Sequence, residues 1–145
     1  MLIRRPHVAG SFYPSDPPEL RQYCEERLCL SGPGKTVKAV VLPHAGYVYS
    51  GDTACLVLSK VKVPDTVFLI GPNHFGQGAS FAIYAEGAWE TPLGKVPVES
   101  EIAADLLKAS RQLQSDPAAH SAEHSLEVIV PFFKPAILRF LSFLL

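Results

Sequence analysis

The chain has 145 residues and a mass of 15.8 kDa, which is enough for one domain. Thirteen Lys and Arg against fourteen Asp and Glu give a formal charge of -1, which excludes the broad basic surface of a nucleic-acid-binding protein. The charged share of 19% and hydrophobic share of 48% exclude intrinsic disorder, and the mean hydropathy of +0.16 predicts apolar surface that a partner or self-association covers.

The cysteine pattern and the N-terminus indicate the compartment. Cys24, Cys29 and Cys55 form an odd number without a CxxC pair, which favours buried thiols over a disulfide framework or a structural zinc site. Such thiols are typical of a reducing compartment. Residues 1–14 lack the apolar stretch of a signal peptide, and charges and prolines interrupt the apolar segment 126–145. We therefore expect a cytoplasmic protein without a membrane anchor.

The first elements follow capping and turn signals. Residues 1–14 are predicted to form an extended arm that places two aromatic side chains against the body. Ser15 or Asp16 is the expected cap of a first helix, because two prolines fall in its first turn and apolar residues recur at helical spacing. This helix is expected to end near Ser31, before a Gly-Pro-Gly turn.

An apolar run, a loop and a helix come next. Residues 37–42 are continuously apolar apart from one lysine, which predicts a strand buried on both faces. A second helix is predicted over residues 52–60, with Ser50 or Asp52 as its cap. Residues 66–70 repeat the strand pattern. This order is typical of an α/β unit.

The later elements mix strands and helices. Residues 81–84 predict a third strand, and residues 88–96 a hairpin or a pair of edge strands. A helix is expected from Ser100, with an apolar face that extends to Leu113.

The remaining signals are a break and a last apolar segment. Pro117 is expected to break the chain, and the C-terminal region predicts a final apolar helix bent at Pro131. The whole order of elements predicts an α/β fold with a mostly parallel sheet flanked by helices.

Two histidines directly follow predicted strands at their carboxyl ends, where open α/β sheets bind ligands. His44 and His74 are therefore expected to converge on one metal ion, although each by itself is more typical of a loop histidine bonded to backbone. Two imidazoles do not saturate a metal. The candidates for a further ligand are Glu123, His124, Glu127 and Cys55.

His124 follows the predicted break and opens the final helix. Beside Glu123 it is placed to act as a proton shuttle or to orient a ligand. The alternative is that Glu123 and Ser121 serve as the cap of that helix. The sequence contains no nucleophile elbow and no phosphate-binding loop.

Five segments of the sequence carry a family resemblance. They are RPHVAGSFYP (5–14), PHAGYVYSG (43–51), GPNH (71–74), WETPLG (89–94), and EHSLEV (123–128) with PF (131–132). In this order they resemble the motifs of the Memo-like family, whose bacterial and archaeal members are often called AmmeMemoRadiSam system protein B. The resemblance covers nearly the whole chain up to about Phe132.

The resemblance implies a fold similar to that of class III extradiol dioxygenases, which cleave catechol-type rings with non-haem iron. It implies that His44 and His74 fall on metal-site histidines, that iron or copper, or else zinc, is the cofactor, and that His124 is a catalytic residue near the pocket. Family members are about twice as long as a unit of this size. The expected domain is thus the N-terminal half of a Memo-like fold over residues 1–132, and residues 133–145 are expected to be an apolar tail of a truncated chain.

The resemblance leaves three functions open. The first is a metal-binding protein with a degenerate redox or dioxygenase-like site, because the family supplies further ligands from its later half. The second is a module that binds a small molecule, peptide or protein in the same pocket, with Tyr47, Tyr49, Phe75 and Trp89 as its lining; eukaryotic Memo-like proteins are associated with phosphopeptide and signalling partners. The third is an inactive partial chain.

Overall fold

The computed structural model describes residues 1–28, 34–133 and 139–145. The strands of this part are β1 (Ile3–Arg4), β2 (Thr66–Gly71), β3 (Ala82–Ile83), β4 (Ala88–Thr91), β5 (Gly94–Pro97), β6 (Gln114–Ser115) and β7 (Arg139–Leu144). Its helices are α1 (Pro17–Leu28), α2 (Tyr47–Leu58), α3 (Ser100–Ala109), α4 (Pro117–His120) and α5 (Val130–Phe133).

Two mixed sheets confirm the predicted α/β class. The larger sheet has the order β2-β7-β3-β6 and the smaller one the order β1-β4-β5. Parallel pairings join β2 with β7, β3 with β6 and β1 with β4, whereas β3 with β7 and β4 with β5 are antiparallel. The predicted hairpin is β4 and β5. Trp89 joins the sheets, since its ring lies edge-on to that of Phe140 at 5.4 Å between centroids.

The first helix begins where its cap predicts. The Asp16 carboxylate accepts a hydrogen bond from the backbone N–H of Glu19 at 3.1 Å, which satisfies a free donor of the first turn. The predicted end near Ser31 lies outside the described residues. Cys24 and Cys55 are buried free thiols, as expected, and Cys29 also lies outside the described residues.

The second helix begins at Tyr47, so the predicted start at residue 52 is wrong. Ser50 and Asp52 are not its caps but lie within it. The first-turn N–H of Tyr47 is satisfied by the backbone oxygen of Phe12 at 2.7 Å, which is a tertiary contact. A cap supplied by a distant segment leaves no local signal in the sequence.

Residues 37–42 do not form the predicted strand. An isolated bridge pairs Lys35 with Val61, but no strand is assigned over the run that follows, and Val41 is 92% exposed. Apolar composition gives a strand propensity, whereas a strand also needs a hydrogen-bonding neighbour. Within the described residues this run has no such neighbour.

The predicted final helix is also wrong. Helix α5 has four residues, Pro131 lies in its first turn, and residues 139–144 form β7. Strand β7 pairs with β2 in parallel from Thr66 to Gly71, and Phe140 and Leu144 are fully buried. A short apolar run cannot be assigned to helix or strand by periodicity alone. Here residues 139–144 form a strand because β2 offers an edge with which they pair.

Two smaller boundaries differ from expectation. Helix α3 ends at Ala109, so Leu113 lies beyond it, and Pro117 begins α4 rather than breaking the chain. The Asp116 carboxylate caps α4 by accepting the N–H of Ala118 at 2.9 Å. Proline suits this place because the first turn of a helix needs no N–H donor. None of the helices in the described ranges has both the length and the apolar composition to cross a bilayer.

Candidate metal centre

Three histidines from separate loops lie together at one end of the larger sheet. His44 precedes α2, His74 follows β2, and His124 lies between α4 and α5. The ring centroids of His44 and His74 are 5.3 Å apart, those of His74 and His124 4.6 Å, and those of His44 and His124 6.2 Å. The structure thus brings both predicted ligands beside the predicted catalytic residue, and their roles stay predictions.

The His44 loop is held by the N-terminal arm. The backbone oxygen of Phe12 accepts the Tyr47 N–H, and Ser50 Oγ donates to the backbone oxygen of Ala45 at 3.1 Å. A Cβ on Gly46 would lie 3.4 Å from that Phe12 oxygen, so the small residue allows the close approach. The arm therefore fixes the loop even though the run before it is unpaired.

The His74 loop is fastened to the segment that carries His124. A Cβ on Gly71 would lie 2.7 Å from Leu126 Cδ2 and 2.9 Å from Ser125 Oγ, so any larger residue would force these buried side chains to move. Ser125 Oγ also donates to the backbone oxygen of Pro72 at 3.2 Å. These contacts place the carboxylate of Glu123 against His74.

Glu123 is the electrostatic centre of the site. Its side chain is 1% exposed; Oε2 accepts the His74 N–H at 2.7 Å, and Oε1 accepts the Ser125 N–H at 2.8 Å. Burial raises the pKa of Glu123, but hydrogen bonds from the His74 ring and these N–H groups outweigh burial and lower the pKa to about 2. The carboxylate is therefore ionised at neutral pH.

An ionised carboxylate fixes the tautomer of His74. Nδ1 of His74 lies 2.8 Å from Glu123 Oε1, and because the carboxylate only accepts, Nδ1 must carry a proton. In the neutral ring Nε2 then keeps its lone pair. This is the arrangement by which carboxylates orient metal-binding imidazoles.

His124 is a neutral ring at the edge of the same group. Burial, and then the nearby His74 and His44 rings, lower its pKa, against the raising effect of Glu123. Its ring is stacked on that of His74 at an interplanar angle of 18° and lies 4.9 Å from the Phe12 ring. The lowered pKa favours the neutral ring, which can accept a proton at its unprotonated nitrogen.

Of the other ligand candidates, some lie beside His74 and others lie elsewhere. Ligand atoms of His74, Glu123 and His124 lie within 4.8 Å of one another, while nitrogens bound to one ion at 2.1 Å are about 3–4 Å apart. This group is therefore within reach of a metal ion after a small movement. Glu127 instead pairs with Arg4 at 2.6 Å, and Cys55 is buried in the core.

An open hollow of about 710 Å³ lies beside the imidazoles. Its lining residues are Phe12, Val41, Leu42, Pro43, His44, Ala45, Gly46, Tyr49 and His124. No charged side chain is among these described residues, so the hollow suits apolar groups. Of the residues predicted to line a peptide pocket, Tyr49 does so, whereas Trp89 is buried elsewhere beneath the Arg4 guanidinium.

Arg4 supports the site and was not predicted from the sequence. Its Nε donates to the backbone oxygen of His120 at 3.0 Å, and its Nη2 to that of Glu123 at 2.8 Å. The same guanidinium pairs with Glu127. The local sequence does not distinguish it from the adjacent Arg5, and its partners are more than a hundred residues away.

Comparison with known proteins settles the ancestry. The sequence model of the Memo-like protein family matches residues 4–141. The chain belongs to the Memo-like family. The five resembling segments up to residue 132 all lie within this match, so the predicted family is confirmed. The division of the Memo-like chain at residue 132 stays a prediction.

Relatives of this Memo-like chain are about twice as long. A MEMO1 family protein of Aquifex aeolicus is 44% identical over 136 residues, which cover 92% of this chain and 50% of that protein. One of Methanothermobacter thermautotrophicus is 42% identical over 147 residues, covering 92% and 52%. One of Pyrococcus abyssi is 42% identical over 138 residues, covering 92% and 47%. The chain thus spans about half the length of the curated relatives it matches.

Proposed function

We propose that this Memo-like chain holds a metal ion between His44 and His74, at a site related to those of extradiol dioxygenases. The observation that carries the proposal is that the two rings arrive from different loops with centroids 5.3 Å apart and planes inclined by 60°. An imidazole nitrogen binds a metal close to its own ring plane. Two inclined planes intersect, so a single ion can lie in both.

The same reasoning gives His124 a different role. Its ring is stacked on His74 at 18°, and nearly parallel stacked planes share no nearby point for an ion. Distance alone would admit His124 as a ligand, but orientation favours a neighbouring proton donor or acceptor. Glu123 orients His74 through Nδ1 and already accepts hydrogen bonds at both carboxylate oxygens, which favours a role in supporting the ligand over binding the ion.

Iron, copper and zinc all accept imidazole ligands. Iron or copper would supply electron transfer at open coordination positions, whereas zinc has no redox chemistry. The chain's own residues contribute the rest. His124 holds or releases a proton at a ring nitrogen, and Phe12 and Tyr49 wall the adjacent hollow. Two imidazoles hold an ion weakly, so we propose a degenerate site that binds metal without cleaving rings.

Metal titration by calorimetry under anaerobic conditions tests this proposal, with Fe²⁺ and Zn²⁺ as probes. We expect His44→Ala and His74→Ala each to weaken binding by about tenfold or more. The matched control is His7→Ala, because His7 is exposed on the arm. His124→Gln should change the affinity by less than about threefold. Unchanged binding in His44→Ala would refute the ligand assignment.

The second candidate is a module that binds an apolar peptide in the hollow. Tyr49 is largely exposed at the wall of a hollow whose described lining carries no charge, which favours an apolar ligand over a phosphorylated one. Peptide binding in the presence of EDTA that is lost in Tyr49→Ala but kept in His44→Ala would support it. If neither metal nor peptide binds, the inactive partial chain is the remaining account.

We also propose a cytoplasmic location without a nucleic-acid or membrane partner. The buried free thiols Cys24 and Cys55 fit a reducing compartment, and the formal charge of -1 offers little attraction to phosphates. Cell fractionation and a gel-shift assay with duplex DNA test the two statements. A membrane-bound fraction or a shifted band would contradict them.

A further inference from the structure

One face of the larger sheet is only partly covered. Helix α3 packs on β3 and β7, where Ile83 and Leu141 are fully buried in a cluster with Ala103. On β2, by contrast, Phe68 is 50% exposed and Ile70 65% exposed. Parallel strands in α/β proteins are normally covered on both faces. In the part of the chain that the structure describes, the β2 side of this face therefore lacks the layer that α3 provides on the β3 side.

The exposed Phe68 and Ile70 form one strip with the half-buried Phe143, beside the buried Leu141. Register pairs Phe68 with Leu141 and Ile70 with Phe143, so all four side chains point to the same face. The rings of Phe68 and Phe143 are parallel within 5° at 6.2 Å between centroids. The strip is thus an ordered surface rather than a scatter of single apolar residues.

The outer edge of β2 is open as well. Strand β2 is the first in the order β2-β7-β3-β6, so in the described residues one of its edges has no neighbour. A six-residue edge strand with apolar side chains is a template for pairing with another strand. The edge and the face of β2 are therefore open together.

Residues 37–42 point to the same partner. Their sequence is that of a strand buried on both faces, yet residues 1–28, 34–133 and 139–145 provide no strand neighbour for them, and Val37, Val40 and Val41 are exposed. Within the described residues, β2 thus lacks a neighbour on one edge and a second strand sequence lacks pairing altogether. We call the open edge and face of β2 the β2 surface.

The length of the relatives identifies what fits this surface. Each has about as many residues again as this chain matches, for example the Aquifex aeolicus protein, of which 50% is covered. We propose that the β2 surface binds a polypeptide equivalent to that unmatched half, which pairs a strand with β2 and lays an apolar helix over Phe68 and Ile70. The same contacts would form whether this polypeptide is joined to the chain or separate from it. They do not require a bound metal ion.

A second copy of this chain fits the surface less well. Two copies that pair edge to edge through β2 would extend the sheet but leave its exposed face uncovered, because edge pairing lies in the plane of the sheet. Covering Phe68 and Ile70 requires a helix laid on the face, as α3 is laid on β3. A complementary segment with both a strand and a helix would pair with the open edge of β2 and also cover its exposed face.

Co-expression tests the proposal. The chain is produced with the tagged half of the Aquifex aeolicus protein that it does not match, and the captured material is sized by light scattering after gel filtration. We expect a one-to-one complex. Amide hydrogen exchange of residues 37–42 and of β2 should be slower in the complex than in the chain alone.

The variants Phe68→Ser and Ile70→Ser should each weaken the complex by about tenfold or more. The matched control is Leu56→Ser, because Leu56 lies on α2 and is also 50% exposed. Since all three side chains are partly exposed, circular dichroism should show a folded chain in each variant.

Three results would overturn the proposal. The first is the absence of a complex on co-expression. The second is an equal loss of affinity in Leu56→Ser and Phe68→Ser, because the partner would then bind elsewhere. The third is a homodimer of the chain alone that Phe68→Ser dissociates, which would give the surface to a second copy. Metal affinity that is unchanged in Phe68→Ser keeps this test separate from that of the metal site.

Discussion

The buried Arg4–Glu127 pair fastens the N-terminal arm to the turn that carries Glu123. Its Nη1–Oε2 distance is 2.6 Å, and the two side chains are 3% and 1% exposed. Arg4 also donates to the backbone oxygens of His120 and Glu123, and its guanidinium lies 4.4 Å from the centre of the Trp89 ring. Arg4→Met removes all these polar contacts and leaves the Glu127 carboxylate buried without its cation.

The loss of folding free energy in each variant depends on which hydrogen bonds the remaining partner keeps. Breaking a buried ion pair from one side costs about 3–5 kcal/mol. After Arg4→Met, Glu127 still accepts hydrogen bonds from the N–H groups of His7 and Val8 and from the Tyr13 hydroxyl, so we expect the lower end, about 3 kcal/mol. Glu127→Leu orphans the guanidinium and those three donors, so we expect about 5 kcal/mol.

Urea unfolding followed by far-ultraviolet circular dichroism at pH 7 measures these losses. In the double variant Arg4→Met/Glu127→Leu an apolar pair replaces the ion pair, so the loss should be smaller than the sum of the single losses by about 2 kcal/mol. Lys108→Met is the control, because its pair with Asp105 is exposed and worth less than about 1 kcal/mol. The reasoning is refuted if Arg4→Met costs no more than Lys108→Met, or if the single losses add.

Two further predictions concern the contacts of the His74 loop. Gly71→Ala should lower the free energy of unfolding by about 1–3 kcal/mol, since the new Cβ meets Leu126 and Ser125, and an unchanged melting temperature would contradict this. Glu123 has a folded-state pKa of about 2, below its ordinary 4.5, so its contribution to stability is present above pH 4.5 and is lost as the pH falls toward 2. The stability difference between the chain and Glu123→Gln should therefore shrink from pH 6 to pH 2.5, while that for the exposed control Glu101→Gln stays small throughout; a constant difference for Glu123→Gln would show that its charge is not what stabilises the fold.

The confirmed elements are those that a cap or a turn predicts within a few residues of the sequence. The hairpin of residues 88–97 and the start of the first helix at Pro17 follow from a turn and from the side-chain cap of Asp16, which act within a few residues. The start of α2 was wrong because its first-turn donor is satisfied by the distant backbone of Phe12. A local pattern cannot report such a partner.

The candidate site divides in the same way. The rule that ligands gather at the carboxyl ends of strands predicted that His44 and His74 would converge on one ion. Their ring centroids lie 5.3 Å apart, and their role as ligands stays a prediction. His44 reaches the site although the run before it is not a strand, because the arm holds its loop. The hydrogen bond from His74 to Glu123 was not predicted, because the sequence offered Glu123 only as a further metal ligand, as a neighbour of His124 or as a helix cap.

By itself the sequence determined the family and the α/β class, because motifs, caps and turns are read over short stretches of chain, and it predicted which histidines belong to the candidate site. Only the tertiary structure decided that residues 139–144 are a strand, that residues 37–42 are not, and that Arg4 supports Glu123. Each of these depends on a partner far along the chain. Backbone pairing and buried charge are satisfied in space, and residues more than a hundred positions apart carry no mutual signal in one sequence.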